Sequence, residues 1–128
     1  MAKKMIYTVL VQLIGYVALI YRCKDFPKRM RFYKDLDTAW IHIHNNAANY
    51  IISNVSKTYE ISGWSETHKD SVHSACISRI NSPGFLNCTL TIRRYNKPNT
   101  KRPYYALYGE RLVLIRFLSN MVDEITSK

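Results

Sequence analysis

The chain has 128 residues, 47% hydrophobic and 22% charged, and this ordinary globular composition excludes wholesale disorder and a collagen-like repeat. The length suits one domain over residues 1–128 and leaves no room for two full cores. Lys and Arg number 19 against 9 Asp and Glu, a net charge of +10, which points to a polyanionic partner.

Lys3 and Lys4 precede a nearly unbroken apolar run, Met5 to Tyr21. The run is rich in Val, Ile and Tyr, with Gly15 near its middle, and this predicts a buried hairpin of Met5–Leu13 and Tyr16–Cys23. A membrane or interfacial helix is the alternative. Its length is at the bottom of the range for a span, and Thr8, Gln12 and Gly15 interrupt it. No small-x-small cleavage site follows, so a cleaved signal peptide is not expected.

The basic excess is concentrated in two stretches. From Arg22 to Lys34 run Arg22, Lys24, Lys28, Arg29, Arg31 and Lys34 against one acid, Asp25. From Arg93 to Arg102 run Arg93, Arg94, Lys97, Lys101 and Arg102 with no acid. The remainder of the chain is neutral.

A helix is predicted from Asp37 to Ser53, capped by Asp35 or Asp37. Leu36, Ala39, Trp40, Ile43, Ala47, Tyr50 and Ile51 recur at helical spacing. His42, Asn45, Asn46 and Asn49 lie outside that stripe, and His44, four after Trp40, is expected in the core. A short strand follows at Lys57–Ile61, then a turn at Ser62-Gly63. Ser65 is placed as the cap of a second helix with the narrow stripe Val72, Ala75, Cys76 and Ile80; a strand is the alternative there. Asn81-Ser82-Pro83-Gly84 is a turn.

Leu86, Cys88, Leu90 and Ile92 alternate with polar residues, the clearest strand in the chain. Asn96–Pro103 is its loop and Tyr104–Tyr108 the return strand, ended by Gly109. Glu110–Ile125 is apolar at helical spacing. The sum is an α+β domain: an antiparallel sheet of four to five strands with two or three helices on one face.

Cys23, Cys76 and Cys88 match no zinc pattern and are expected to be free thiols in a reducing cytoplasm. His68 and His73 lie five apart, and His73 lies three before Cys76. Two ligands are too few for a metal site, so no metal or cofactor is expected. The chain has no Gly-rich phosphate loop, nucleophile elbow, zinc finger or aromatic RNP-type motif.

The basic stretches are interleaved with aromatics: Tyr21, Phe26, Phe32 and Tyr33 at the first, Tyr95, Tyr104 and Tyr105 at the second. Cations hold phosphates and aromatic faces stack on unpaired bases. The expected function is therefore non-catalytic binding to nucleic acid or a nucleoprotein complex. The expected contacts are Lys24, Lys28, Arg29, Arg31, Lys34, Arg93, Arg94, Lys97, Lys101, Arg102, Tyr104 and Tyr105. An acidic protein surface is the rival partner. In general character the chain is similar to small phage and mobile-element proteins, such as anti-CRISPR inhibitors, that bind a host machine. A metal-independent ribonuclease is the third reading, with His68 or His73, Glu66, and Arg93 or Arg94 as its parts.

Overall fold

A computed structural model describes residues 3–22, 38–54, 59–62, 64–67, 72–79, 90–96 and 103–127. The described elements in chain order are α1 (Lys3–Arg22), β1 (Thr38–Ile43), α2 (Asn45–Asn54), β2 (Tyr59–Ile61) and β3 (Ser65–Thr67). They continue with β4 (Val72–Arg79), β5 (Leu90–Tyr95), β6 (Tyr104–Glu110) and α3 (Arg111–Thr126).

The strands form one sheet in the order β1-β6-β5-β4-β2, with β3 also paired to β4. Every pairing is antiparallel. β2 and β3 lie along the same edge of β4, against Ile77–Arg79 and Val72–Ser74 respectively. Ser62 bridges the gap between them: its backbone N–H donates to the Cys76 carbonyl and its hydroxyl accepts the Cys76 N–H at 2.8 Å. The α+β architecture is therefore as expected, with the three described helices on one face.

The reason lies in the alternation of each strand. Ala39, Ile41 and Ile43 of β1, Leu107 of β6, Leu90 and Ile92 of β5, and Ala75 and Ile77 of β4 all point to one side. There they share a single core with Ala47 and Ile51 of α2 and Leu114, Phe117 and Leu118 of α3. Phe117 is fully buried and meets Tyr59 edge-on at 4.8 Å between ring centroids.

The N-terminal run is a helix, not the predicted hairpin of Met5–Leu13 and Tyr16–Cys23. Val9, Leu13 and Ile20 are fully buried in the core, with Ile6, Leu10, Tyr16 and Val17 packed beside them. An all-apolar run satisfies periods of 2 and 3.6 alike, so the packing partner decides. Here that partner is α3, whose Arg111 guanidinium donates to the Ile20 carbonyl. Gly15 sits mid-helix, and a Cβ added to it meets nothing within 4 Å.

The predicted helix Asp37–Ser53 is divided. Thr38–Ile43 is strand β1, because Ala39, Ile41 and Ile43 also fit a period of two, and the helix starts at Asn45. His44 is exposed rather than a core histidine. It serves the helix start: its Nδ1 accepts the Asn46 N–H at 3.1 Å, and its carbonyl accepts the Ala48 N–H. Its own N–H donates to the Tyr16 hydroxyl at 2.7 Å, joining α1 to α2. Burial raises the Tyr16 pKa above its ordinary value, partly countered by this bond.

The predicted helix after Ser65 is also a correction: Ser65–Thr67 and Val72–Arg79 are strands, and the narrow stripe of Val72, Ala75 and Cys76 did not define a buried helical face. β6 and α3 match their expectations, β6 running on through Glu110. The turn at Asn81–Gly84 and residues 86–89 of the alternating run lie outside the described residues.

Candidate nucleic-acid interface

Strand alternation sends the other half of the sheet's side chains to the face opposite the helices. Trp40 and His42 of β1, Tyr104, Ala106 and Tyr108 of β6, and Arg93 and Tyr95 of β5 project there. Trp40, Ala106 and Tyr108 form a second apolar cluster, with Tyr95 packed against it, and no described helix contributes to it.

The rings on this face meet in sequence. Trp40 contacts His42 edge-on at 4.4 Å, and His42 lies 5.8 Å from Tyr104, tilted by 51°. Tyr104 and Tyr95 are directly paired across the strands and stack nearly parallel, 9° apart and 4.7 Å between centroids. His42 is exposed, Tyr95 and Tyr104 are half-buried, and Trp40 and Tyr108 are packed at 9% exposure. The accessible edge of the row is thus His42, Tyr104 and Tyr95.

Arg93 stands beside this row, its guanidinium 5.0 Å from the Tyr108 ring centroid. Burial pulls its pKa down, but the Tyr95 and Tyr108 hydroxyls outweigh that and hold it above the ordinary value. It is a permanent cation. Its buried Nε finds no hydrogen-bond partner among the described residues.

Neighbours in sequence are separated in space. Arg94 points to the helix side, 4.9 Å over the Trp64 ring. Tyr105, an expected contact, is 5% exposed and belongs to the core, so it cannot stack on a base. Of the expected contact residues, then, Arg93 and Tyr104 share the face that no described helix covers, while Arg94 and Tyr105 do not. Lys24, Lys28, Arg29, Arg31, Lys34, Lys97, Lys101 and Arg102 lie outside the described residues. By chain connectivity, Lys97, Lys101 and Arg102 belong to the link that leaves β5 after Tyr95 and enters β6 at Tyr104.

Trp40, His42 and Tyr108 were not among the expected contacts. The signal that carries them is period-two spacing, Trp40/His42 in β1 and Tyr104/Ala106/Tyr108 in β6. Helical spacing through Trp40 and Ile43 masked the first.

Register pairs Glu66 with His73, and His73 with Arg94, across three strands, and His73 and Arg94 face the helix side. Arg94 is opposite Tyr105, which lines a polar cavity of about 420 Å³ with Asn45, Asn46, Asn49 and Pro103. The paired His73 and Cys76 lie on one strand three apart, hence on opposite faces, and cannot share a metal. No group of three His, Cys, Asp or Glu side chains suited to a metal occurs among the described residues. Cys76 is disulfide-bonded, which corrects the expectation of three free thiols. No protein-family model matches this chain, and neither does any curated protein or any solved structure.

Proposed function

We propose that the chain is a non-catalytic binding protein for single-stranded nucleic acid, alone or within a nucleoprotein complex. One observation carries this reading: a permanent cation, Arg93, set among Tyr95, Tyr104 and Tyr108 on the sheet face that no described helix covers. Exposed or half-exposed rings stack on bases without regard to sequence, and Arg93 supplies a phosphate contact. In the sequence, Lys97, Lys101 and Arg102 fall between Tyr95 and Tyr104.

The test is anisotropy of labelled single-stranded RNA and DNA oligonucleotides. Tyr104→Ala should weaken binding by about 1–3 kcal/mol with little change in salt dependence. Arg93→Ala should flatten the slope of log affinity against log salt by about 0.7. A wild-type chain that shows no salt-dependent binding to either strand refutes the proposal. Capture of a partner that survives nuclease treatment would instead favour an acidic protein surface.

The second reading is a metal-independent ribonuclease. What favours it is the backbone register that pairs Glu66 with His73 and His73 with Arg94. Labelled RNA incubated with chelator decides it. Cleavage lost in His73→Ala and retained in Tyr104→Ala would support this reading.

A further inference from the structure

Among the described residues, no element packs on the outer face of α1. Tyr7, Val11, Ile14, Ala18 and Tyr21 follow one another at spacings of four and three, so they form a single stripe along the helix. Tyr7 is 68% exposed, Val11 and Ile14 are 51% exposed, and Tyr21 is 65% exposed. At 1.5 Å per residue the stripe is about 21 Å long. A shallow apolar groove of about 410 Å³ continues it toward α3, between Ile14, Ala18 and Tyr21 on one side and Val122 on the other. Exposed apolar surface of this extent marks a place where something binds.

Charge selects the occupant. Lys4 and Arg22 are both exposed, Lys4 one turn before Tyr7 and Arg22 directly after Tyr21 and one turn after Ala18, and α1 contains no acidic residue. A second copy of α1 docked on this face would bring like charges together. Antiparallel pairing sets Lys4 beside Arg22, and parallel pairing sets each beside itself. An anionic lipid surface complements both ends, and tyrosines suit the boundary between acyl chains and headgroups. The segment Lys4–Arg22 is long and apolar enough to cross a membrane, at mean hydropathy 1.6 with 17% of it buried. Yet its inner face is committed to the fold. Val9, Leu13 and Ile20 are fully buried, Tyr16 holds the His44 N–H, and Arg111 holds the Ile20 carbonyl. Spanning would strip these contacts; lying in the plane keeps them.

We infer that α1 docks the domain on an anionic bilayer surface, lying in the interface with the stripe from Tyr7 to Tyr21 toward the lipid. Asp123, which lines the groove, opposes this attachment. The surface lies on the helix side of the sheet, so it does not compete with the ring face around Arg93.

The test is sedimentation of the full, nuclease-treated chain with phosphatidylcholine vesicles, with and without about 30 mol% phosphatidylglycerol. The wild type should partition onto the anionic vesicles and much less onto the zwitterionic ones. The double variant V11E/I14E should partition at least about tenfold less, K4Q/R22Q should lose the preference for anionic lipid, and D123N should bind more tightly. Tyr104→Ala should partition like the wild type, which separates this inference from the nucleic-acid reading. Tyr7→Trp provides a readout independent of the folding of the glutamate variant: its emission should shift blue on vesicles and be quenched by brominated acyl chains. Absence of wild-type partitioning overturns the inference, as does unshifted Tyr7→Trp emission. A concentration-dependent dimer that V11E/I14E abolishes, without vesicle binding, overturns it in favour of a second copy.

Discussion

Replacing Gly15 by Ala separates a helical N-terminal segment from a hairpin, because the two conformations give effects of opposite sign. In α1, Gly15 is an exposed interior helix position, and a Cβ there meets nothing within 4 Å. Its backbone φ is not in the left-handed region. The substitution then gains the full difference in helix propensity, about 0.8–1.0 kcal/mol, part of it through the reduced freedom of the unfolded chain. For 128 residues the unfolding entropy is about 270 cal/mol/K near the midpoint. One kcal/mol therefore raises Tm by about 3–4 °C. In a tight turn centred on Gly15 the same Cβ would meet a positive φ and lower stability by a comparable or larger amount. Thermal unfolding followed by far-ultraviolet circular dichroism, with a urea titration as a second measure, reads the sign directly. A fall in Tm with unchanged cooperativity would refute the helix and restore the hairpin.

Three further outcomes test the packing. Phe117→Ala removes a fully buried ring that meets Tyr59, and should cost about 3–5 kcal/mol in a urea titration. Tyr16 is neutral in the fold and its pKa is raised by burial, so its contribution is fully present below its unfolded pKa of about 10 and is lost as pH rises through the folded value. Stability should therefore fall in alkaline solution, and Tyr16→Phe should flatten that fall while losing the acceptor for the His44 N–H, at about 1 kcal/mol near neutral pH. The Cys76 disulfide takes up two of the three cysteines, so thiol titration of the denatured, unreduced chain should find one free thiol; finding three would refute the bond.

The C-terminal half of the fold was legible because its signals exclude one another. Leu90 and Ile92 alternate with Thr91 and Arg93, which a helix cannot use, and Leu114, Phe117, Leu118, Met121 and Ile125 recur at a spacing that a strand cannot use. The N-terminal half was not legible, because Met5–Tyr21 is apolar at almost every position and Thr38–Ile51 fits both periods across its length. What decided between them is tertiary: α3 offers α1 an apolar face, and β6 offers β1 an open edge running from Tyr105 to Glu110. Neither partner is adjacent in sequence, so local propensity could not see them.

The candidate site was half legible for a related reason. Composition locates cations and rings along the chain, and pleating then divides neighbours between faces. Arg93-Arg94 and Tyr104-Tyr105 each read as one patch in sequence, yet in each pair one residue goes to the ring face and the other to the helix side. The consequence is functional. An extended patch would treat the four residues as interchangeable contacts, whereas the sheet puts Arg93 and Tyr104 on the ring face and gives Tyr105 to the core, where its loss would cost folding. Arg94 is left on the helix side, over Trp64 and beside His73, away from the ring face. A sheet with a cation on each side has two chemically separate faces. Substitutions at Arg93 and Arg94 should accordingly act independently: only the first should alter the salt slope of strand binding.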